Sequence, residues 1–232
     1  MKKLIILFIY CAVITFISCS SSTNKSYTNE EKQSAEKAVQ DSIAAAEQAV
    51  QSAINDVAEV TKSESIQKED LKSFEIYINN NKSKFRIKSD EMNESQKIFD
   101  ISSPKYINDF SNIYCYLYKN KYLVDCLITI QYVGEDWLFI ENYKIKTDSN
   151  TYDINSEEYD KIQRDNDSGE VYEWCTFGIN KDRLKMLEDI ATSKKVTLRI
   201  NGNQYYKDRI ISNKEKKAIT NIVSAWKIAN KS

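Results

Sequence analysis

The sequence predicts an α+β fold: a mostly antiparallel sheet (meander plus hairpin) with two C-terminal helices, preceded by a long N-terminal acidic helix. Three observations predict it. Short alternating apolar runs broken by turn residues fill most of Tyr114 to Ile210. Two segments with helical apolar period and capping residues follow. Near the start lies a Gly- and Pro-free segment whose apolar residues recur in steps of four and three.

That early segment runs from Asn29 to Val60, with Val39, Ile43, Ala46, Val50, Ala53, Val57 and Val60 forming a narrow heptad seam. Two Lys stand against seven acids over residues 30–60. It reads as a helical stalk over 29–61, solvated along its length, lying on the following domain, or self-associating as a coiled coil through residues 39–60. The globular α+β domain follows over 66–232, long enough for one core. Strands at 73–79 and 84–88 are expected to open it. Pro104 marks a loop before the sheet.

The meander then follows from its turns. Tyr114–Lys119 and Tyr122–Val133 flank a two-residue loop at Asn120-Lys121, which would set Cys115 opposite Cys126. Gly134-Glu135 suits a type II′ turn into Asp136–Thr147, and Ser149-Asn150 offers a turn into Tyr152–Ile154. One apolar face then collects Cys115, Leu117, Val124, Cys126, Ile128, Ile130, Tyr132, Trp137, Phe139, Tyr143, Ile145, Tyr152 and Ile154, with Glu141 as its one charge. Glu170–Ile179 reads as a further strand. Asn180 caps a helix over 181–193, and Asn201-Gly202 turns a hairpin between Val196–Ile200 and Asn203–Ile210. Ser212 and Glu215 form a capping box for a last helix carrying Ile219, Ile222, Val223 and Trp226 on one face. Its lysines are expected in solvent.

Composition narrows the chemistry. The 232 residues hold no histidine, so a Ser-His-Asp triad, a Cys-His pair and an HExxH zinc site are excluded. Five Arg and a net charge of −1 argue against a nucleic-acid partner. Four Gly, none in a phosphate-cradling run, leave no cofactor motif. No catalytic residue and no metal ligand set is expected. The acids between Asp153 and Glu170 do not match calcium-loop spacing and read as a solvated loop, and the pair Glu170/Glu173 lacks any sign of a cleft.

Two features remain as candidate sites. Cys115 and Cys126 either form a cross-strand disulfide or pack as buried thiols, and Cys175 has no assigned partner. Tyr114, Tyr116 and Tyr118 share the other face of their strand. They are either a contact stripe for a protein or glycan, or a second core face under the helices. Core is the favoured reading, because two amphipathic helices need a sheet to rest on.

The N-terminus carries an address. Met1-Lys2-Lys3 precedes an apolar run from Leu4 to Ile17, then Ser18-Cys19-Ser20. The run is about 14 residues, short of the roughly 20 that span a bilayer. Phe16-Ile17-Ser18-Cys19 resembles the lipobox of bacterial lipoproteins over residues 1–19, with Phe16 where Leu is usual. The resemblance implies a signal peptide over 1–18 and lipidation of Cys19. It further implies a place in the cell envelope, anchored by palmitate-type chains, the outer membrane favoured, while the polar, aperiodic residues over 19–28 read as a flexible tether. The expected function is a non-catalytic binding or envelope-interaction domain. The alternatives are an inhibitor or exclusion factor acting on an exported protein, and a carboxylate-based hydrolase of envelope glycans.

Overall fold

A computed structural model describes residues 29–155 and 162–231. Residues 1–28, with Cys19 and the lipobox, lie outside them. The chain divides into two units, Met1–Val60 and Thr61–Ser232. Helix α1, Asn29–Asn80, runs through the division. In the first unit the described seam residues Ile43, Val50 and Val57 are exposed.

The second unit is α+β, with antiparallel sheets and two helices at its C-terminal end. After the last turns of α1 come β1 (Phe85–Asp90), β2 (Ser95–Asp100), β3 (Asn112–Lys119), β4 (Val124–Gly134), β5 (Ile140–Lys146), β6 (Thr151–Asn155), β7 (Gln163–Asp167) and β8 (Glu170–Gly178). Helix α2 (Lys181–Thr192), β9 (Thr197–Gly202), β10 (Tyr206–Ile210) and α3 (Asn213–Ala229) complete it. The strands form two sheets, ordered β1-β2-β3-β4-β8-β7 and β10-β9-β5-β6. One apolar cluster joins them. It takes Cys115, Leu117, Cys126, Ile128 and Ile130 from the six-stranded sheet, and Tyr143, Ile145, Leu198 and Ile200 from the four-stranded one. Met186, Leu187 and Ile190 of α2, Ile219 and Ile222 of α3, and Phe74 and Ile78 of α1 close it.

Several expectations are corrected. Residues 73–79 are helix, not strand. Phe74 and Ile78 are one turn apart and buried, whereas Ile76, which strand alternation would place beside them, is 52% exposed. The Asn120-Lys121 turn is a four-residue loop. Asn120 Oδ1 accepts from the amides of Tyr122 (2.8 Å) and Leu123 (3.0 Å), and Lys119 pairs with Val124. The register moves by two residues, which preserves the face but sets Cys115 against Ile128 and Cys126 against Leu117. Cys115 and Cys126 are therefore diagonal neighbours rather than a direct pair, and both carry buried thiols. The Asn-Gly hairpin forms, but Gly202 closes β9 and the turn is Asn203–Tyr205, with Gly202 N donating to Tyr205 O at 2.9 Å.

The single meander is also replaced. β4 pairs with β8, and the chain crosses to the second sheet before β5. Glu173 of β8 holds that crossing. Its side chain is fully buried and accepts from the backbone amides of Leu138 (2.7 Å), Phe139 (2.9 Å) and Ile140 (2.9 Å), and from Arg164 Nε (2.8 Å). Phe139 takes φ 52° there, and a bulge between Ile140 and Asn142 turns Glu141 to solvent. The side-chain parity switches as a result. Leu138 and Ile140 enter the core, Trp137 packs partly buried against it, and Phe139 is 53% exposed. Gly202 is required at the same point, since a Cβ on it would lie 2.1 Å from Leu138 O.

The expected helix caps are present. Asn180 Oδ1 accepts from Arg183 N, and Ser212 and Glu215 form the capping box of α3. Lys216, expected in solvent, is buried and donates through Nζ to Ser193 O (2.9 Å) and Lys194 O (2.8 Å), tying α3 to the end of α2.

Removing one acceptor of a buried charged pair leaves donors unsatisfied, at a cost of about 2–4 kcal/mol. Glu173→Gln is therefore expected to lower the urea unfolding free energy by about that amount. Arg164→Met should cost less, because Arg164 is partly exposed and the three amides still hold the carboxylate. Equal losses would contradict this account.

Candidate functional site

The strand alternation that puts Ile113, Cys115 and Leu117 into the core turns Asn112, Tyr114, Tyr116 and Tyr118 to the outer face of the six-stranded sheet. The sequence reads this stripe as core beneath the helices: Tyr114 is buried and Tyr116 and Tyr118 half-buried, but the helices are not what covers them. Ile219, Ile222 and Val223 of α3 join the cluster around Cys115 and Leu117, so α3 rests on the opposite face. Phe99 and Tyr114 are buried yet belong to no part of that cluster.

The outer face has its own order. Phe99 of β2 lies opposite Tyr116 and stacks on it, ring centroids 4.9 Å apart. Arg86 of β1 sits 5.2 Å from the Phe99 ring and Lys88 5.8 Å, while Lys97 lies 5.9 Å from Tyr116. Arg86 also donates to Ser103 O (3.2 Å) and Pro104 O (2.8 Å), which fastens the loop between β2 and β3 against the sheet. Tyr116, Tyr118 and Leu127 are half-buried. Across β4 and β8, Thr129 and Thr176 share a hydrogen bond of 2.8 Å. Burial pushes the Tyr114 hydroxyl up to about 12, so it stays protonated and serves as a hydrogen-bonding group.

Where Asn112 and Tyr114 reach the start of α3, the face ends in a cavity of about 190 Å³. Glu215 lies beside it. Its carboxylate takes Arg209 Nη1 (2.7 Å) and Nη2 (3.0 Å), Ser212 N (2.8 Å), and Ile113 N (3.3 Å). Burial opposes its charge, but Arg209 and Ser212 outweigh this and hold the carboxyl below its ordinary value.

The other candidates fare differently. Cys115 has its thiol pushed well up by its contact with Cys126 and by burial, which leaves it inert at neutral pH. Glu173 has its oxygens committed, and Glu170 is an exposed residue at the start of β8. The segment read as a solvated loop contains β7, paired to β8 through a turn with Ser168 at φ 53° and Gly169 at φ 88°. Among the described residues no group of three acids or cysteines is placed to hold a metal ion, and no helix is long and apolar enough to cross a membrane. Residues 156–161, with three of the segment's acids, lie outside the described residues.

The reading of the sequence missed Lys97 and Phe99 because it placed no strand at 95–100, and Arg86, on the expected strand 84–88, then had no ring beside it to mark it. The available signal was Asp90 and Asn93. Asp90 accepts from Asn93 N (3.2 Å) and Nδ2 (2.8 Å), a turn that joins β1 to β2. Comparison of the chain with protein-family models, with curated proteins and with solved structures found no match.

The depressed Glu215 carboxyl makes stability depend on acid. A group whose folded value lies below its unfolded value near 4.5 stabilises fully above that pH and stops doing so as pH falls through the folded value. The melting temperature is expected to fall as pH drops below about 4.5, with Glu215→Gln less stable at neutral pH and shallower in its acid decline. Parallel profiles for the two proteins would refute the assignment.

Proposed function

We propose that the chain is an exported lipoprotein, anchored to a membrane through Cys19, whose second unit is a non-catalytic binding module for a component of the cell envelope. The observation that carries this reading is the outer face of the six-stranded sheet. Tyr116, Tyr118 and Leu127 lie there as flat, half-covered apolar surface over the buried Phe99 ring, beside Arg86, Lys88 and Lys97. Rings with polar tips and neighbouring cations are what recognition surfaces concentrate. The commitment of Glu173 to three amides and Arg164 supports a binder over a carboxylate hydrolase.

The anchor follows from the lipobox-like sequence at Phe16–Cys19. Two acyl chains on one cysteine supply the two attachments that stable anchoring takes. Residues 19–28 serve as tether and 29–61 as an acidic helical spacer, in the outer membrane of a two-membrane cell. The seam exposed at Ile43, Val50 and Val57 is where a second copy would pair. Sedimentation of the chain with and without residues 29–60 reads that directly, an unchanged monomer mass ruling it out.

Cys19→Ser is expected to move the protein from the membrane fraction to the soluble one. Retention at the membrane would overturn the anchor. The double variant Tyr116→Ser, Tyr118→Ser is expected to lose capture of envelope material, with its melting temperature within about 3 °C of the parent, as for partly exposed positions. Full capture by that variant would overturn the assignment of the face.

A further inference from the structure

We propose that the cleft between the β4–β5 connection and β10 binds a zwitterion of the amino-acid class, a ligand with an ammonium and a carboxylate joined by an apolar body. The cleft is separate from the outer face, since Tyr132 lies on the inward side of β4 with Cys126, Ile128 and Ile130. Its volume is about 630 Å³, on the scale of small-molecule sites, roughly 300–1,000 Å³. Tyr132, Glu135 and Asp136 contribute to one wall, Tyr205 and Lys207 to the other.

The chain fixes both rings before any ligand arrives. Gly134 makes room for the first, since a Cβ on it would lie 2.1 Å from Tyr132 Oη. The Tyr132 hydroxyl donates to Asp136 O at 3.0 Å. Tyr205, in the turn between β9 and β10, donates to Trp137 O at 3.0 Å, and Asn203 N donates to Leu138 O at 3.2 Å. The two walls are thereby tied to each other through consecutive carbonyls of the β4–β5 connection. Lys207 pairs with Ile200 across β9 and β10, so its side chain leaves the sheet on the inward side, toward the cleft.

The chemistry of the ligand follows from what the walls have left to give. Ser111 Oγ exchanges hydrogen bonds with Val133 N (2.9 Å) and Val133 O (3.2 Å). Arg209 is taken by Glu215. Glu135, Asp136 and Lys207 remain. Among the described residues none of these three takes part in an ion pair. Burial pushes the Tyr132 hydroxyl above its ordinary value, and Tyr205, Glu173, Asp136 and Glu135 push the same way, so both carboxylates stand near that ring. Lys207 Nζ lies 5.9 Å from the centroid of the Tyr205 ring. One wall therefore offers two acids and a ring, the other an ammonium and a ring, with the opposite charges too far apart to pair.

A purely cationic ligand would set Lys207 against a like charge, and a purely anionic one would face two acids. An uncharged ligand would use neither wall. A zwitterion answers both. Its ammonium is drawn to Glu135, Asp136 and the face of Tyr132, its carboxylate to Lys207, and the rings take its apolar body. An inward-pointing charge on an edge strand also discourages pairing between sheets, but that role calls for no acids and no fixed rings opposite it. Two sources share this chemistry, a free amino acid and a short peptide. They differ in the separation of their charged ends, which grows by roughly 3.3–3.6 Å per extended residue.

The test titrates the full chain in detergent with phenylalanine, leucine and phenylalanyl-alanyl-alanine, read by NMR on the backbone amides of Gly134 and Lys207. At least one of the three is expected to shift both signals at millimolar concentration. Acetylating its amine, or converting its carboxylate to the amide, is expected to weaken binding about tenfold in each case, the loss of one charge-assisted contact. Lys207→Met should erase the preference over the amide form and keep the preference over the acetylated form. Glu135→Gln with Asp136→Asn should do the reverse. All three residues are exposed, and an unchanged melting temperature shows that each variant is folded. If the double variant is unstable, Lys207→Met alone carries the test. Tighter binding of the tripeptide identifies a short peptide as the ligand, and equal or weaker binding a free amino acid. No shift with any of the three overturns the proposal, as do blocked forms that bind as tightly as the zwitterion or variants that leave both preferences intact.

Discussion

The fold turns on the Glu173 carboxylate. A fully buried charge is expensive unless every lone pair is used, and here three consecutive amides and one guanidinium use them. The amides belong to the residues where the chain leaves β4 for the other sheet. The interaction therefore does more than neutralise a charge. It supplies acceptors to three backbone donors that have left one ladder and not yet joined the next. Without it the crossing would carry unsatisfied amides inside the core. With it, β8 can take the place beside β4 that a simple meander would give to β5.

That exchange decides what the outside of the protein looks like. A single sheet would have needed its helices on one face and water on the other. The second sheet, α2 and α3 instead share the inner face of the first, and together they complete the core. The Tyr114–Tyr118 face is left to loops and to cations standing over rings. Its aromatic residues are shielded by neighbours on β1 and β2 rather than by a layer of secondary structure.

The parts legible in the sequence were those decided within a few residues. Asn180 and the Ser212–Glu215 box announce their helices because a cap and the amide it serves are three residues apart. The inward parity of β3 and β4 also survived, because moving a register by two residues does not change faces. What failed depended on distant partners. The bulge at Glu141 exists because β8 holds the preceding amides, which no local pattern at residues 136–142 reveals. β7 is entirely exposed and polar, so it has no alternation to read. Phe74, Ile76 and Ile78 fit a strand's alternation as well as part of a helix stripe, and only packing separates the two. The candidate site was half legible. Tyr114, Tyr116 and Tyr118 are visible as a stripe, but Phe99, Ser103 and Asn112 join them only through the order of the strands.

Two of the buried carboxylates, Glu173 and Glu215, obey one rule. Glu173 and Glu215 each sit where a charge is hardest to bury, and each is satisfied by donors from at least two different elements. A neutral amide oxygen or a hydroxyl can be satisfied by one small rotation or one nearby serine. Ser102, the neighbour of Ser103, does this by donating to Asp100 at 2.6 Å. Arg86 of β1, Gln131 of β4 and Glu215 of α3 likewise bind the loop before β3 and the first residues of β3 to their neighbours. The edge of the outer face is thereby ordered on folding, so contact made there adds little ordering cost.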